Sequence, residues 1–190
     1  MMYVIGDSNT LYLALDRERT LKTIDGSGPL EDVAHMSVKG KDVTLLYYSG
    51  YSAYKVSYEY LTERCKDLAV TDKTPIIFQF GAIDIRYHLP KYDNTKWLVN
   101  RYVDTCVRFC EQYGLKPIFI QPITCIEHLK YNLEFEDALR QECQIRGLGL
   151  VELFGSFSER EYPSEPEDEV CHFTYEKNAK LLELLVDLYA

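Results

Sequence analysis

The chain has 190 residues, 46% of them hydrophobic and 27% charged, the make-up of a globular protein large enough to bury a substantial core. A formal charge of −9, with no lysine- or arginine-rich run, excludes the concentrated basic face that nucleic-acid binding needs. No apolar run nears the ~20 residues that cross a bilayer, and no basic segment leads into a long apolar one, so the expectation is a cytoplasmic protein with no membrane attachment.

The first predicted strand is Tyr3-Val4-Ile5, and it ends in Gly6-Asp7-Ser8-Asn9-Thr10, residues of turns and helix caps. Residues 16–42 show no clear period and leave room for an extra helix or strand. A second strand is predicted over 43–48, followed by Ser49-Gly50-Tyr51-Ser52. Leu61, Cys65 and Leu68 recur at helical spacing within 58–68. Ile76-Ile77-Phe78-Gln79-Phe80 is almost wholly apolar, the pattern of a parallel strand buried on both faces, and Gly81-Ala82-Ile83-Asp84-Ile85-Arg86 follows it. Leu98, Tyr102, Cys106 and Cys110 predict a helix over 97–113, which Gly114 stops. A strand over 118–121 leads to Pro122, and a helix over 132–145 ends at Gly147. A last strand at 150–153 precedes a charged, proline-bearing loop at 159–169, then Cys171-His172 and a leucine-dense helix over 178–188.

Strands alternating with helices in this way predict one domain, 1–190, with a parallel five-stranded sheet between helical layers: an α/β/α three-layer sandwich. No internal repeat or Gly/Pro/Ser-rich linker divides it. The six cysteines read as reduced thiols, and no CxxC pair or nearby histidine completes a zinc set, so no metal is expected. Sixteen tyrosines are unusual, and six fall within 47–60, where packing is the first explanation and a sugar-sized pocket involving Tyr51 or Tyr54 the second.

Ligands of a doubly wound sheet bind beyond the carboxyl ends of its strands. Ser8, Gly50, the 81–86 loop and His172 all follow predicted strands, which brings a hydroxyl, two glycines, an arginine and an imidazole to one edge. A serine nucleophile needs a base in reach and an acid that orients the base. The backbone N–H groups of Ser8 and Gly50 are candidate oxyanion donors, and Ser8 is expected to open a helix.

Gly6-Asp7-Ser8 after strand one, Gly50 after strand two, Gly81-x-x-Asp84 after strand three and an acid shortly before His172 resemble the SGNH/GDSL hydrolase superfamily, over nearly the whole chain and in the same order. That resemblance implies a flavodoxin-like sheet and esterase, lipase or acyl-glycan deacetylase chemistry without a cofactor. Ser8 would be the nucleophile and His172 the base. Its acid would be Glu169, or Asp168 one residue earlier. The substrate would be a small-molecule or glycan ester, such as an O-acyl or O-acetyl sugar. Asp7, Gly81, Asp84 and Arg86 complete the oxyanion and substrate-binding set, with Asp84 expected to brace the loops and Arg86 to brace them or hold a substrate anion.

Two departures stand out. The family's third block reads Gly-x-Asn-Asp, its asparagine amide completing the oxyanion hole, whereas this chain has Ile83 there. Six acids among residues 159–169 favour a protonated His172, so activity is expected to prefer mildly alkaline pH. An impaired binding or structural module on the same fold, and an acyltransferase at the same site, are the competing readings. A flavin-binding or receiver domain lacks support, because the first loop has neither a phosphate cradle nor paired acids.

Overall fold

The computed structural model describes residues 1–14, 31–48, 50–122, 128–153 and 175–190. Six strands form one sheet: β1 Met2–Gly6, β2 Glu31–Val38, β3 Lys41–Tyr48, β4 Ile76–Gln79, β5 Ile118–Ile120 and β6 Gly149–Val151, in the order β2-β3-β1-β4-β5-β6. The five expected strands make up its parallel part, in the flavodoxin-like order. The sixth, β2, runs antiparallel to β3 at the edge.

That edge strand lies in the stretch whose pattern was least clear, and its burial explains why. Val33, His35 and Ser37 are exposed, while Ala34, Met36 and Val38 are only partly covered. The hairpin turns through Lys39 and Gly40, both with positive φ (50° and 75°), as a two-residue turn matched to the strand twist requires. Lysine is an uncommon residue in that position, so the turn signal was weak as well.

The helices are α1 Ser8–Ala14, α2 Tyr58–Arg64, α3 Leu89–Tyr92, α4 Thr95–Glu111, α5 Leu129–Arg146 and α6 Tyr175–Tyr189. Period-two alternation along the strands divides the core between two faces. Tyr3, Ile5, Leu46, Ile76, Phe78 and Phe119 point one way, onto Leu61 of α2, Val99, Val103 and Phe109 of α4, and Phe135 and Leu139 of α5. Met2, Val4, Val43, Leu45, Ile77 and Ile120 point the other way, onto Leu13 of α1 and Leu181, Leu182 and Leu185 of α6. Both faces are thereby covered, giving three layers. Cys65, Cys106, Cys110 and Cys143 are buried free thiols in the first of these cores, and burial pushes the Cys65, Cys110 and Cys143 thiols up to about 12. They are packing residues, inert as nucleophiles. Among the described residues no cluster of three or more His, Cys, Asp or Glu is placed to hold a metal, and no helix is long and apolar enough to cross a membrane.

Gly6, where β1 ends, has no room for a side chain. An added Cβ would lie 2.1 Å from Thr10 Oγ1 and 2.4 Å from the Gln79 carbonyl oxygen. The hydroxyl can rotate, but the carbonyl belongs to the neighbouring strand. Gly6→Ala is therefore expected to cost about 1–3 kcal/mol by forcing β1 and β4 apart. Urea unfolding checks this, and a change below about 0.5 kcal/mol, the ordinary range for a surface substitution, would contradict it.

Candidate active site

The register of the sheet fixes which loops meet. Gly6 pairs with Tyr47 on β3 and with Gln79 on β4, so the segments after β3 and β4 rise on either side of the segment after β1. Ser8, the first residue of α1, stands between them and is almost fully buried. Gly50 follows β3 in a left-handed conformation (φ 72°), with open space where a Cβ would be. Gly81 follows β4 with φ 132°, and a Cβ there would meet the Phe135 ring at 2.7 Å. Only glycine satisfies both conditions at position 81.

Asp7 is wholly buried. Its backbone N–H donates to the Gln79 carbonyl at 3.1 Å, and its Oδ1 accepts the Asn9 N–H at 2.9 Å, the turn that starts α1. Burial pushes the Asp7 carboxyl up to about 7, against the opposing pull of the Asn9 and Ala82 N–H groups, and the nearby charge of Asp84 adds to the rise. Around it lies a buried polar layer at the carboxyl ends of the strands. Thr10 Oγ1 donates to Gln79 Oε1 at 3.0 Å, and the Leu153 N–H donates to Gln121 Oε1 at 2.9 Å. Among the described residues, the Nε2 groups of Gln79 and Gln121 have no hydrogen-bond partner.

Asp84 carries most of the bracing. Its Oδ2 accepts the Ala53 N–H at 2.6 Å, and its Oδ1 accepts the Tyr54 N–H at 3.2 Å and meets His88 Nδ1 at 2.8 Å. It is fully buried, and burial raises its pKa while His88 and the two amides pull it back down. Asp84 and His88 belong to a π-helical stretch, Asp84–His88, in which the Leu89 N–H reaches back to the Asp84 carbonyl. Pro90 accounts for the widening. It has no N–H for the carbonyl four residues back and its ring crowds that carbonyl, so the ladder shifts by one residue before it.

Arg86 lies along the Tyr87 ring, 5.0 Å from its centroid, and donates to the Tyr87 hydroxyl at 3.1 Å. Asp84 pairs with His88 at i, i+4, a pairing that the spacing in the sequence permits. Ile83, where the resemblance leads one to look for an amide donor, is a half-buried hydrocarbon. Of the tyrosine-rich stretch, Tyr51 stacks on Tyr60 (4.3 Å, 12°) beside Tyr48 and is packing, whereas Tyr54 is half-exposed. His172, Glu169 and Asp168, the expected base and acids, lie outside the described residues.

With this geometry in view, the fold has clear counterparts. The chain has the fold of the SGNH/GDSL hydrolases: an α/β structure with a central, mainly parallel sheet and helices on both sides. A member of the lipolytic G-D-S-L family from Veillonella parvula superposes with a TM-score of 0.60 at 16% identity, covering 100% of this chain and 98% of that one. Est24, a carbohydrate acetylesterase from Sinorhizobium meliloti, gives 0.60 at 12% identity over 98% and 96% of the two chains. The psychrotrophic esterase EstA from Pseudoalteromonas sp., in a form inhibited by monoethylphosphonate, gives 0.59 at 13% over 99% and 94%. No protein-family model matches the chain, and no curated protein matches it in sequence.

The Asp7 carboxyl gives a stability prediction with a definite sign. Its unfolded value is about 4, and its folded value is about 7. Between these the folded chain keeps a proton that the unfolded chain has lost, so this group makes stability fall as pH rises from about 4 to about 7, with no further change above that. Asp7→Asn retains the acceptor for Asn9 but removes the titration. Unfolding free energies measured across that interval should move steadily in favour of the variant as pH rises. A constant difference between variant and parent would contradict the assignment.

Proposed function

We propose that this protein is a serine hydrolase that cleaves a carboxylic ester, its substrate an O-acyl or O-acetyl group on a glycan. The observation that carries the reading is the position of Ser8: at the carboxyl end of central strand β1, opening α1, between the loops that follow β3 and β4. It stands on a fold shared with several esterases, one of them a carbohydrate acetylesterase.

In the proposed reaction Ser8 Oγ attacks the ester carbonyl carbon and its proton passes to His172, which Glu169 or Asp168 orients. The tetrahedral oxyanion is held by the N–H groups of Ser8 and Gly50. Collapse breaks the bond to the alcohol, which leaves with the proton from His172 and forms the acyl-enzyme. Water, deprotonated by His172, then adds to the acyl carbon and releases the acid, restoring the serine. Gly81 and Asp84 would shape the loops after β4 and β3, and Arg86 would brace those loops or hold an anion of the substrate. An alcohol in place of water would make the same site an acyltransferase.

Ile83 favours a second reading, a binding module on this fold. A missing oxyanion donor typically lowers the rate by ~10²–10³. A fluorophosphonate probe separates the two. The hydrolase reading expects covalent labelling of the native protein and none of Ser8→Ala. A folded protein left unlabelled from roughly pH 6 to pH 9, the range in which a histidine base is active, would overturn it.

A further inference from the structure

Above the Asp84 carboxylate, between the loop after β3 and the start of α4, lies a cleft of about 310 Å³, lined by Tyr54, His88, Tyr92, Asn94, Trp97 and Leu98. Its walls are aromatic and open to solvent: Tyr54 is 50% exposed, Trp97 53% and Tyr92 68%. Large rings normally bury themselves, so three at half exposure or more around one hollow form a surface built for contact. The rings are also held in place. Tyr54 lies 6.1 Å from Trp97 at 44° and 5.8 Å from His88 at 73°, and Arg101 stacks on Tyr54 at 5.4 Å while donating to the Tyr54 carbonyl. Asp84 fixes the Tyr54 amide from beneath and commits His88 Nδ1, leaving His88 Nε2 for a ligand.

The chemistry of this lining is selective. It presents π faces, a ring nitrogen, an amide and two phenols and, among the described residues that line it, no carboxylate or ammonium. A pyranose ring matches it, with an apolar C–H face to lie on an aromatic side chain and hydroxyls at its edge for the polar groups. A second, more open groove of about 520 Å³ shares Asn94 and Trp97 with the first and continues between the start of α4 and the middle of α5 past Lys96, Glu134 and Asp137. Together they leave room for more than one ring, with Trp97 at the junction.

We infer that the Tyr54–His88–Trp97 cleft is a carbohydrate subsite that binds a neutral pyranose unit, with Tyr54 and Trp97 as the stacking surfaces and His88 as the polar contact. As a binding site it stands independently of the hydrolase reading, and only the role of the bound sugar as the substrate's glycan rests on that reading. Asp84 connects the two regions, since its carboxylate holds the cleft loop and its charge is felt at Asp7, next to Ser8.

Trp97 is the only tryptophan in the chain, so its fluorescence reports on this cleft and the groove that shares it, and the Tyr54 and His88 variants assign a response to the cleft. The experiment titrates the full chain with glucose-, galactose- and xylose-configured disaccharides, native and O-acetylated, with galacturonate as an anionic control. The subsite predicts a saturable change in Trp97 emission with at least one neutral sugar, retained in Ser8→Ala and weakened roughly tenfold in Tyr54→Ala and His88→Ala. No saturable change with any neutral sugar at tens of millimolar, in protein folded by circular dichroism, overturns it. A response indifferent to Tyr54→Ala, or one confined to galacturonate, overturns it too. Loss of sugar binding with Ser8 still labelled by phosphonate would remove the subsite alone; sugar binding without labelling would leave the subsite and remove the hydrolase.

Discussion

The arrangement of the site depends on one buried carboxylate. Asp84 lies after β4, yet two of its hydrogen bonds go to backbone amides after β3, across the end of β1. Burying a charge is costly unless donors surround it, and here two amides and an imidazole do so. Loops that would otherwise lie apart on the surface are thus drawn together across the end of β1. Removing the acceptor would leave two amides without partners and free the loop that carries Tyr54.

What makes such a clamp possible is the sheet beneath it. Alternation along β1, β3 and β4 sends residues into two separate apolar cores, and each core holds its helices against one face. A slip of one residue would send each set into the opposite core, against helices it is not shaped to meet. Register therefore sets the height at which each loop leaves the sheet. Gly6 and Gly81 then let backbone and ring approach where a Cβ would not fit.

Much of this was legible in the chain itself. The five parallel strands announce themselves as short apolar runs, and Ser8, Gly50 and Gly81 each follow one of them. Strand β2 was harder, because at an edge only every second residue is partly covered and its turn uses Lys39-Gly40. Asp84 was readable as a loop acceptor, and its i, i+4 tie to His88 falls in a π-helical stretch just before Pro90, which the pattern of apolar residues does not register. The aromatic cleft was less legible still. Tyr54, Tyr92 and Trp97 come from three different segments, and nothing in their spacing brings them together.

One acid thus connects a loop-packing role with the shape of a candidate binding surface and the surroundings of a buried serine. Site-resolved amide hydrogen exchange in the parent and in Asp84→Ala tests this most directly. The account predicts faster exchange at Ala53 and Tyr54 in the variant, with amides of β1 and β4 exchanging as in the parent. Unchanged protection at Ala53 and Tyr54 would contradict it.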